Sequence, residues 1–259
     1  MKHRFLLTLS AFVLAVSLWA QGQAKYVFYF IGDGMGVNQV NGTQTYLAAL
    51  EGRIGITPLC FTRFPVCGLV TTFSGTNGVT DSAAAGTALA TGRKTGNHVL
   101  GMLADEQTPV TSVAQWAHEA GAAVGVATSV SVDHATPAAF YAHVADRNAY
   151  HQIGNQLPAA GFDFYAGSDF RKPAGAEGEA DTYERCREAG YTVVRGYKAY
   201  AKAAKKAQRM VLLQPEKPSH GDRTCLPYAI DRQQDDLTLT DITRAGLSFL
   251  MSKQGEKQG

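Results

Sequence analysis

Residues 110–128, Val110-Thr-Ser-Val-Ala-Gln-Trp-Ala-His-Glu-Ala-Gly-Ala-Ala-Val-Gly-Val-Ala-Thr128, decide the fold class because they join a helix to a strand. The apolar positions of residues 110–120 recur at helical spacing, and Gly121 ends that pattern. Residues 123–128 form a short apolar run that is typical of a buried strand. Strand and helix patterns alternate along the rest of the chain, which predicts a three-layer α/β/α sandwich around a mainly parallel sheet.

Other apolar runs predict further strands of the same sheet. Every position of residues 26–31, Tyr-Val-Phe-Tyr-Phe-Ile, is apolar or aromatic, as expected of a parallel strand that is buried on both faces. The remaining predicted strands cover residues 68–73, 161–165 and 209–213. Helices are predicted over residues 40–50, 81–92, 140–157, 182–189, 197–207 and 239–251, and a mobile surface loop over residues 171–179.

The composition excludes several classes of protein. The chain has 259 residues, of which 45% are hydrophobic and 18% charged, so it can bury a sizeable core and is neither disordered nor fibrous. Without Lys2 and Arg4, which lie in the leader described next, 22 basic and 22 acidic residues remain. A chain without net charge gives no electrostatic reason to expect binding to nucleic acid or to an anionic membrane.

The first 24 residues have the pattern of a secretory signal peptide. Basic residues precede an apolar run over residues 5–19, and small and polar residues follow over residues 20–24. Cleavage after Ala20 or Ala24 would release an exported protein, periplasmic or extracellular, with no membrane attachment; an uncleaved N-terminal anchor is the alternative. Export permits disulfides among the four cysteines, but the sequence leaves all three pairings open.

Three segments contain residue types that carry chemistry. In Gly32-Asp33-Gly34-Met35-Gly36 the spacing does not match a dinucleotide loop, so Asp33 is interpreted either as a ligand of a divalent cation or as a turn residue. Ser82 opens a helix of small residues, capped by Asp81 or Thr80, where the helix dipole favours an anion. The alternative for this serine is an ordinary helix cap.

The third segment is Asp133-His134-Ala-Thr136-Pro, which follows a predicted strand and precedes His143 and Arg147. A carboxylate, an imidazole and a hydroxyl at a strand's carboxyl end suit metal ligation. The guanidinium of Arg147 could hold a phosphate through two parallel hydrogen bonds.

Taken together, the three segments resemble the alkaline phosphatase family. The similarity is carried by Ile31-Gly-Asp-Gly-Met-Gly36, by Val79-Thr-Asp-Ser-Ala-Ala-Ala-Gly-Thr-Ala88, and by His134-Ala-Thr-Pro-Ala-Ala-Phe-Tyr-Ala-His143 with Asp146-Arg-Asn148, in that order. The resemblance extends from residue 25 to the end of the chain. It implies a phosphate monoester hydrolase that acts on small phosphomonoesters through a phosphoserine intermediate.

The resemblance also implies roles for individual residues. Ser82 would be the nucleophile and a metal ligand, and Arg147, together with Asp81, would bind the phosphate. Asp33 would bridge a zinc and a magnesium ion, and Thr136 would be a magnesium ligand. His134 would lie in the shell around the magnesium. The cofactors implied are two zinc ions and one magnesium ion.

One departure from the family follows from the length of the chain. Most zinc ligands of the family, and a magnesium-binding Glu, come from a C-terminal half, so they are expected beyond residue 259. Residues 25–259 are therefore interpreted as the N-terminal part of an alkaline-phosphatase-like domain. Its sheet is expected to be incomplete at the C-terminal end, and the chain is expected to be truncated and inactive. The alternatives are a phosphodiesterase or phosphomutase of the same superfamily, or a non-catalytic exported protein that binds phosphate or a partner. The oligomeric state, including a homodimer, stays open.

Overall fold

The computed structural model describes residues 24–215 and 225–258, so residues 1–23 of the predicted signal peptide lie outside it. Eight helices and four strands follow one another in these residues. They are, in chain order, α1 Val37–Leu50, α2 Ser82–Thr91, α3 Val113–Glu119, β1 Gly125–Ala127, α4 Ala135–Ala138, α5 Tyr150–Ala160, β2 Phe164–Gly167, α6 Thr182–Glu188, β3 Tyr191–Arg195, α7 Tyr197–Ala203, β4 Arg209–Leu213 and α8 Leu239–Gln258. A 3-10 turn occupies Cys60–Arg63.

The four strands form one sheet in the order β1-β2-β4-β3, and every pair is parallel. Tyr165 on β2 is in register with Val126 on one side and with Val211 on the other. Because β4 is a central strand, its residues are apolar at nearly every position, as in other parallel strands that have helices on both faces.

Alternate residues of the strands enter two separate apolar clusters, one on each face of the sheet. Tyr165 and Leu213 belong to the cluster that α2 to α6 cover. Phe164 and Leu212 belong to the other cluster, which α7 and α8 cover. Helices on both faces of a parallel sheet confirm the predicted α/β/α sandwich.

The strand β3 is absent from the sequence prediction. Its sequence, Tyr191-Thr-Val-Val-Arg195, is rich in β-branched residues and lies between Gly190 and Gly196, so the signal for a strand was present. The prediction of β4 over residues 209–213 agrees with the structure.

Two predicted strands are wrong. Residues 26–31 and 68–73 have no regular secondary structure and belong to no strand. Val27 is 79% exposed and Leu69 is 100% exposed. An apolar run becomes a strand only where a neighbouring strand accepts and donates its backbone hydrogen bonds, and in the described part of the chain neither segment has such a neighbour.

The predicted helix over residues 140–157 is also wrong in its first half, since α5 begins only at Tyr150. The backbone of Val144 instead exchanges two hydrogen bonds with Leu100, at 2.9 and 3.0 Å. Asp146 then accepts the N–H of Asn148 and forms a turn. These contacts take the backbone groups that a helix would have used.

No helix within residues 24–215 and 225–258 combines the length and the apolar character that crossing a bilayer requires. Cys60 and Cys67 are exposed thiols that are not bridged, and Cys186 is a buried thiol in the apolar cluster under α6.

Candidate functional site

The N-terminus of α2 is the centre of the site. Asp81 is the N-cap, and its Oδ1 accepts the N–H of Ala84 at 3.0 Å. Ser82 therefore occupies the first helical position, where backbone N–H groups lack partners inside the helix. The small residues of α2 allow close packing on α4, since a Cβ on Gly86 would lie 3.0 Å from the Cβ of Ala139.

Asp33 receives hydrogen bonds from two hydroxyl groups at this helix end. Its Oδ2 accepts the hydroxyl of Ser82 at 3.0 Å and the hydroxyl of Thr136 at 2.9 Å. Asp33 lies in the loop after residues 26–31, Ser82 on α2 and Thr136 on α4. The structure thus brings together the three residues that the sequence predicts as metal ligands.

Arg147 and Asp81 form an ion pair beside this group. Nη1 of Arg147 donates to Oδ2 of Asp81 at 3.0 Å, and their side chains are 16% and 18% exposed. Burial alone would raise the pKa of Asp81, but hydrogen bonds from Ala84, Arg147 and His98 outweigh it and hold the pKa below its ordinary value of 3.8. Asp81 is therefore a carboxylate, and the ion pair is charged on both sides at neutral pH.

Two other polar residues, Asp133 in the third segment and His143 after it, contact backbone groups of distant residues. Asp133 is fully buried and accepts the N–H of Arg171 at 2.8 Å, and its burial raises its pKa to about 6. Nδ1 of His143 lies 2.6 Å from the carbonyl oxygen of Gly101. His134 is the N-cap residue of α4, two positions before Thr136.

Two residues that the sequence analysis did not select also contact Asp81. Oδ1 of Asn97 accepts the Asp81 N–H at 3.3 Å, and the N–H of His98 donates to Oδ2 of Asp81 at 3.1 Å. These contacts join positions 16 and 17 residues apart, and no local sequence pattern indicates them.

The arrangement combines two kinds of chemistry. A carboxylate with two hydroxyl groups offers oxygen donors, which hard divalent cations prefer. The N-terminus of a ten-residue helix with a guanidinium beside it favours an anion such as phosphate. The hydroxyl of Ser82 belongs to both parts.

Comparison with known proteins identifies relatives of this chain. The family model described as alkaline phosphatase matches residues 24–171. The tissue-nonspecific alkaline phosphatase of Mus musculus is 39% identical over 145 residues, which are 52% of this chain and 27% of that protein. The chain thus spans about a quarter of the length of the curated relatives it matches.

Solved structures are similar over more of the chain. The alkaline phosphatase from the Antarctic bacterium TAB5 has a TM-score of 0.72 and 26% identity, and the alignment covers 85% of this chain and 59% of that one. A variant of the same enzyme, in which a histidine is replaced by aspartate and magnesium is bound in its M3 site, has a TM-score of 0.64 and 26% identity over 74% of this chain and 52% of that one.

Proposed function

Because the chain belongs to the alkaline phosphatase family, we propose that it carries the nucleophile and the phosphate clamp of a phosphate monoester hydrolase. The observation that supports this most directly is the pair of hydrogen bonds from Ser82 and Thr136 to one oxygen of Asp33, next to the pair of Arg147 and Asp81. The substrates proposed are small phosphomonoesters.

Ser82 is the proposed nucleophile. Its oxygen attacks the phosphorus atom, the bond from phosphorus to the ester oxygen breaks, and the alcohol leaves with a proton. Water then attacks the phosphoserine, which releases inorganic phosphate and restores the hydroxyl. Asp33 accepts the hydroxyl hydrogen of Ser82 and so orients the oxygen. The N-terminus of α2 stabilises the negative charge of the transferred group.

Arg147 is the proposed phosphate clamp. Asp81 accepts a hydrogen bond from Nη1, while the guanidinium has five N–H donors in total. Donors that do not face Asp81 can bind two phosphate oxygens at once. Asp81 contributes to substrate binding through Arg147.

The described residues fit the implied magnesium ion better than the implied zinc ions. Asp33, Ser82 and Thr136 present oxygen donors to one point, and this donor set suits magnesium. A magnesium ion bound there would supply positive charge that stabilises a neighbouring oxyanion. No group of three or more His, Cys, Asp or Glu residues in the described ranges could hold a metal ion, so these residues do not by themselves fit the two zinc ions.

Export through the N-terminal signal peptide is part of the proposal. It is supported by the sequence pattern of residues 1–24, and processing of that segment would deliver the protein to the periplasm or outside the cell.

Trapping the phosphoryl group tests the proposal. The full chain is incubated with a phosphomonoester labelled in its phosphoryl group, with zinc and magnesium added, and is quenched in acid. The sequence predicts an inactive chain, whereas the geometry at Ser82 supports phosphoryl transfer. We therefore expect label on the peptide that contains Ser82, and none after Ser82→Ala. Ser112→Ala is the matched control, because Ser112 is the N-cap of α3 and lies at a different helix.

Absence of label would contradict the enzymatic proposal. If inorganic phosphate still bound, and bound more weakly after Arg147→Ala, the protein would be a phosphate-binding protein without catalysis. If neither label nor binding were found, the assignment of the phosphate clamp would be wrong as well.

A further inference from the structure

His98 has an unusual backbone conformation. Its φ is +73°, and Glu106 is the other non-glycine residue with positive φ in the described part of the chain. Side chains with a Cβ rarely adopt this left-handed region. The side chain of His98 is exposed, so apolar packing does not account for the conformation. Strained residues of this kind persist only where their surroundings impose the strain.

Both backbone groups of His98 contact the proposed phosphate clamp. Its N–H donates to Oδ2 of Asp81 at 3.1 Å, and its carbonyl oxygen accepts the backbone N–H of Arg147 at 2.9 Å. Oδ2 of Asp81 also accepts Nη1 of Arg147 at 3.0 Å. One residue therefore holds the main chain of the arginine and the carboxylate that binds the tip of its side chain.

The neighbours of His98 fix its position on both sides. The side chain of Asn97 accepts the N–H of Asp81 and donates to the carbonyl oxygen of Val79 at 3.1 Å. Two residues after His98, Leu100 is fully buried and exchanges backbone hydrogen bonds with Val144. Between these two attachments, the chain reaches both Asp81 and Arg147 with His98 in the left-handed conformation.

We propose that His98 is a positioning residue, whose left-handed backbone sets the guanidinium of Arg147 for phosphate. It acts through its N–H and carbonyl groups, and the imidazole is not required. This inference rests on the proposed function, since that proposal assigns Arg147 to phosphate. A residue that adopts the left-handed region readily, but has less backbone freedom than glycine, should preserve the position of Arg147 when it replaces His98. Asparagine has this property, whereas glycine has far more conformational freedom.

The experiment compares His98→Asn, His98→Gly and Glu106→Gly in the full chain. The first measurement, made without phosphate, is the 15N heteronuclear NOE of the Arg147 Nε–Hε group. The second is the dissociation constant for inorganic phosphate. Glu106→Gly is the matched control, because it removes the same kind of backbone strain at another position. There the backbone N–H of Glu106 donates to the carbonyl oxygen of Leu103.

We expect His98→Gly to lower the NOE and to weaken phosphate binding about 2- to 5-fold, in line with the extra backbone freedom of glycine. His98→Asn and Glu106→Gly should leave both quantities at the parent values. A merely structural role would change the melting temperature and leave the order of the Arg147 side chain unchanged.

Two results would overturn the inference. One is an unchanged NOE and an unchanged dissociation constant in His98→Gly. The other is an equal loss in His98→Asn, which would assign the effect to the imidazole. If the parent binds no phosphate but His98→Gly alone disorders Arg147, the positioning role holds and the proposed function fails.

Discussion

Residues 26–31 and β4, residues 209–213, are both short apolar runs, yet they have opposite environments. Met210 to Leu213 of β4 are buried between β2 and β3. In residues 26–31, Val27 and Phe30 are 79% and 71% exposed, and no strand pairs with them in the described residues. The comparison shows that hydrophobicity selects a buried strand only when a partner supplies the backbone hydrogen bonds.

The same contrast divides the molecule into two regions. We call residues 24–79 the open segment and residues 80–215 with 225–253 the packed body. Ser82, Thr136 and Arg147 belong to the packed body, whereas Asp33 comes from the open segment and is exposed. The described side-chain contacts of Asp33 are the two hydroxyl hydrogen bonds at its Oδ2, so the site joins residues of the two regions.

The largest expected effect separates the two regions by stability. Leu212→Ala should lower the free energy of unfolding by about 2–5 kcal/mol, because Leu212 is fully buried in β4 and its removal leaves a cavity. Leu69→Ala is the matched control, and it should change the value by less than about 0.5 kcal/mol. Urea unfolding measures both. Equal losses would show that the open segment is packed in solution.

A pH effect is expected from the carboxyl group that the packed body encloses. Burial raises the pKa of Asp133 to about 6, so the folded protein binds a proton that the unfolded chain has lost between about pH 4 and pH 6. The stability of the parent relative to Asp133→Asn should therefore fall as the pH rises through this window, by about 2–3 kcal/mol. Urea unfolding at a series of pH values measures the difference.

Asp105→Asn is the control for this effect. Hydrogen bonds from Thr108 lower the pKa of Asp105, so the parent should gain stability relative to this variant as the pH rises towards 3.8. Slopes of the same sign in both variants would contradict the assignment for Asp133.

A smaller effect is expected at Asp81, on the boundary between the two regions. Asp81→Ala removes the N-cap of α2 and leaves Arg147 without its carboxylate, which should cost about 1–2 kcal/mol. Because its partners lower the pKa of Asp81 below 3.8, the part of this loss that depends on the charged carboxylate should be fully present at neutral pH and should diminish as the pH falls from 3.8 through the lowered pKa.

Thermal unfolding measures the effect, with Asp181→Ala as the control. Asp181 caps α6 by accepting the N–H of Glu184 and forms no ion pair in the described part of the chain, so its loss should be the smaller one. A larger loss in Asp181→Ala would show that the ion pair of Asp81 contributes nothing to stability.

The smallest expected effect lies in the open segment. Phe30→Ser should leave the free energy of unfolding within about 0.5 kcal/mol, because the ring is already in water. It should lower the fluorescence of a dye such as ANS that binds exposed apolar surface. Trp116→Ser, an exposed aromatic residue of the packed body, is the control and should leave the dye signal unchanged. An unchanged signal in Phe30→Ser would mean that the dye does not bind the open segment.

Local signals were sufficient for some elements of the packed body. A cap at Asp81 or Thr80, the run of small residues and the glycine at position 92 predict a helix over 81–92, and α2 spans residues 82–91. The same kind of signal failed for residues 140–149, because the pairing of Val144 with Leu100 replaced the helix. Pairing between distant residues is not encoded in a short window of sequence.

The sequence by itself determined the α/β alternation, the capped helix with Ser82 at its start, and the family resemblance, because each is carried by short segments whose residues lie within a few positions of one another. Only the tertiary structure decided that Asp33 meets Ser82 across 49 positions and Thr136 across 103, and that His98 takes a left-handed conformation against Asp81 and Arg147. Contacts over such separations depend on the packing of whole helices and strands. Burial of apolar surface drives that packing, and it is a property of the folded chain as a whole.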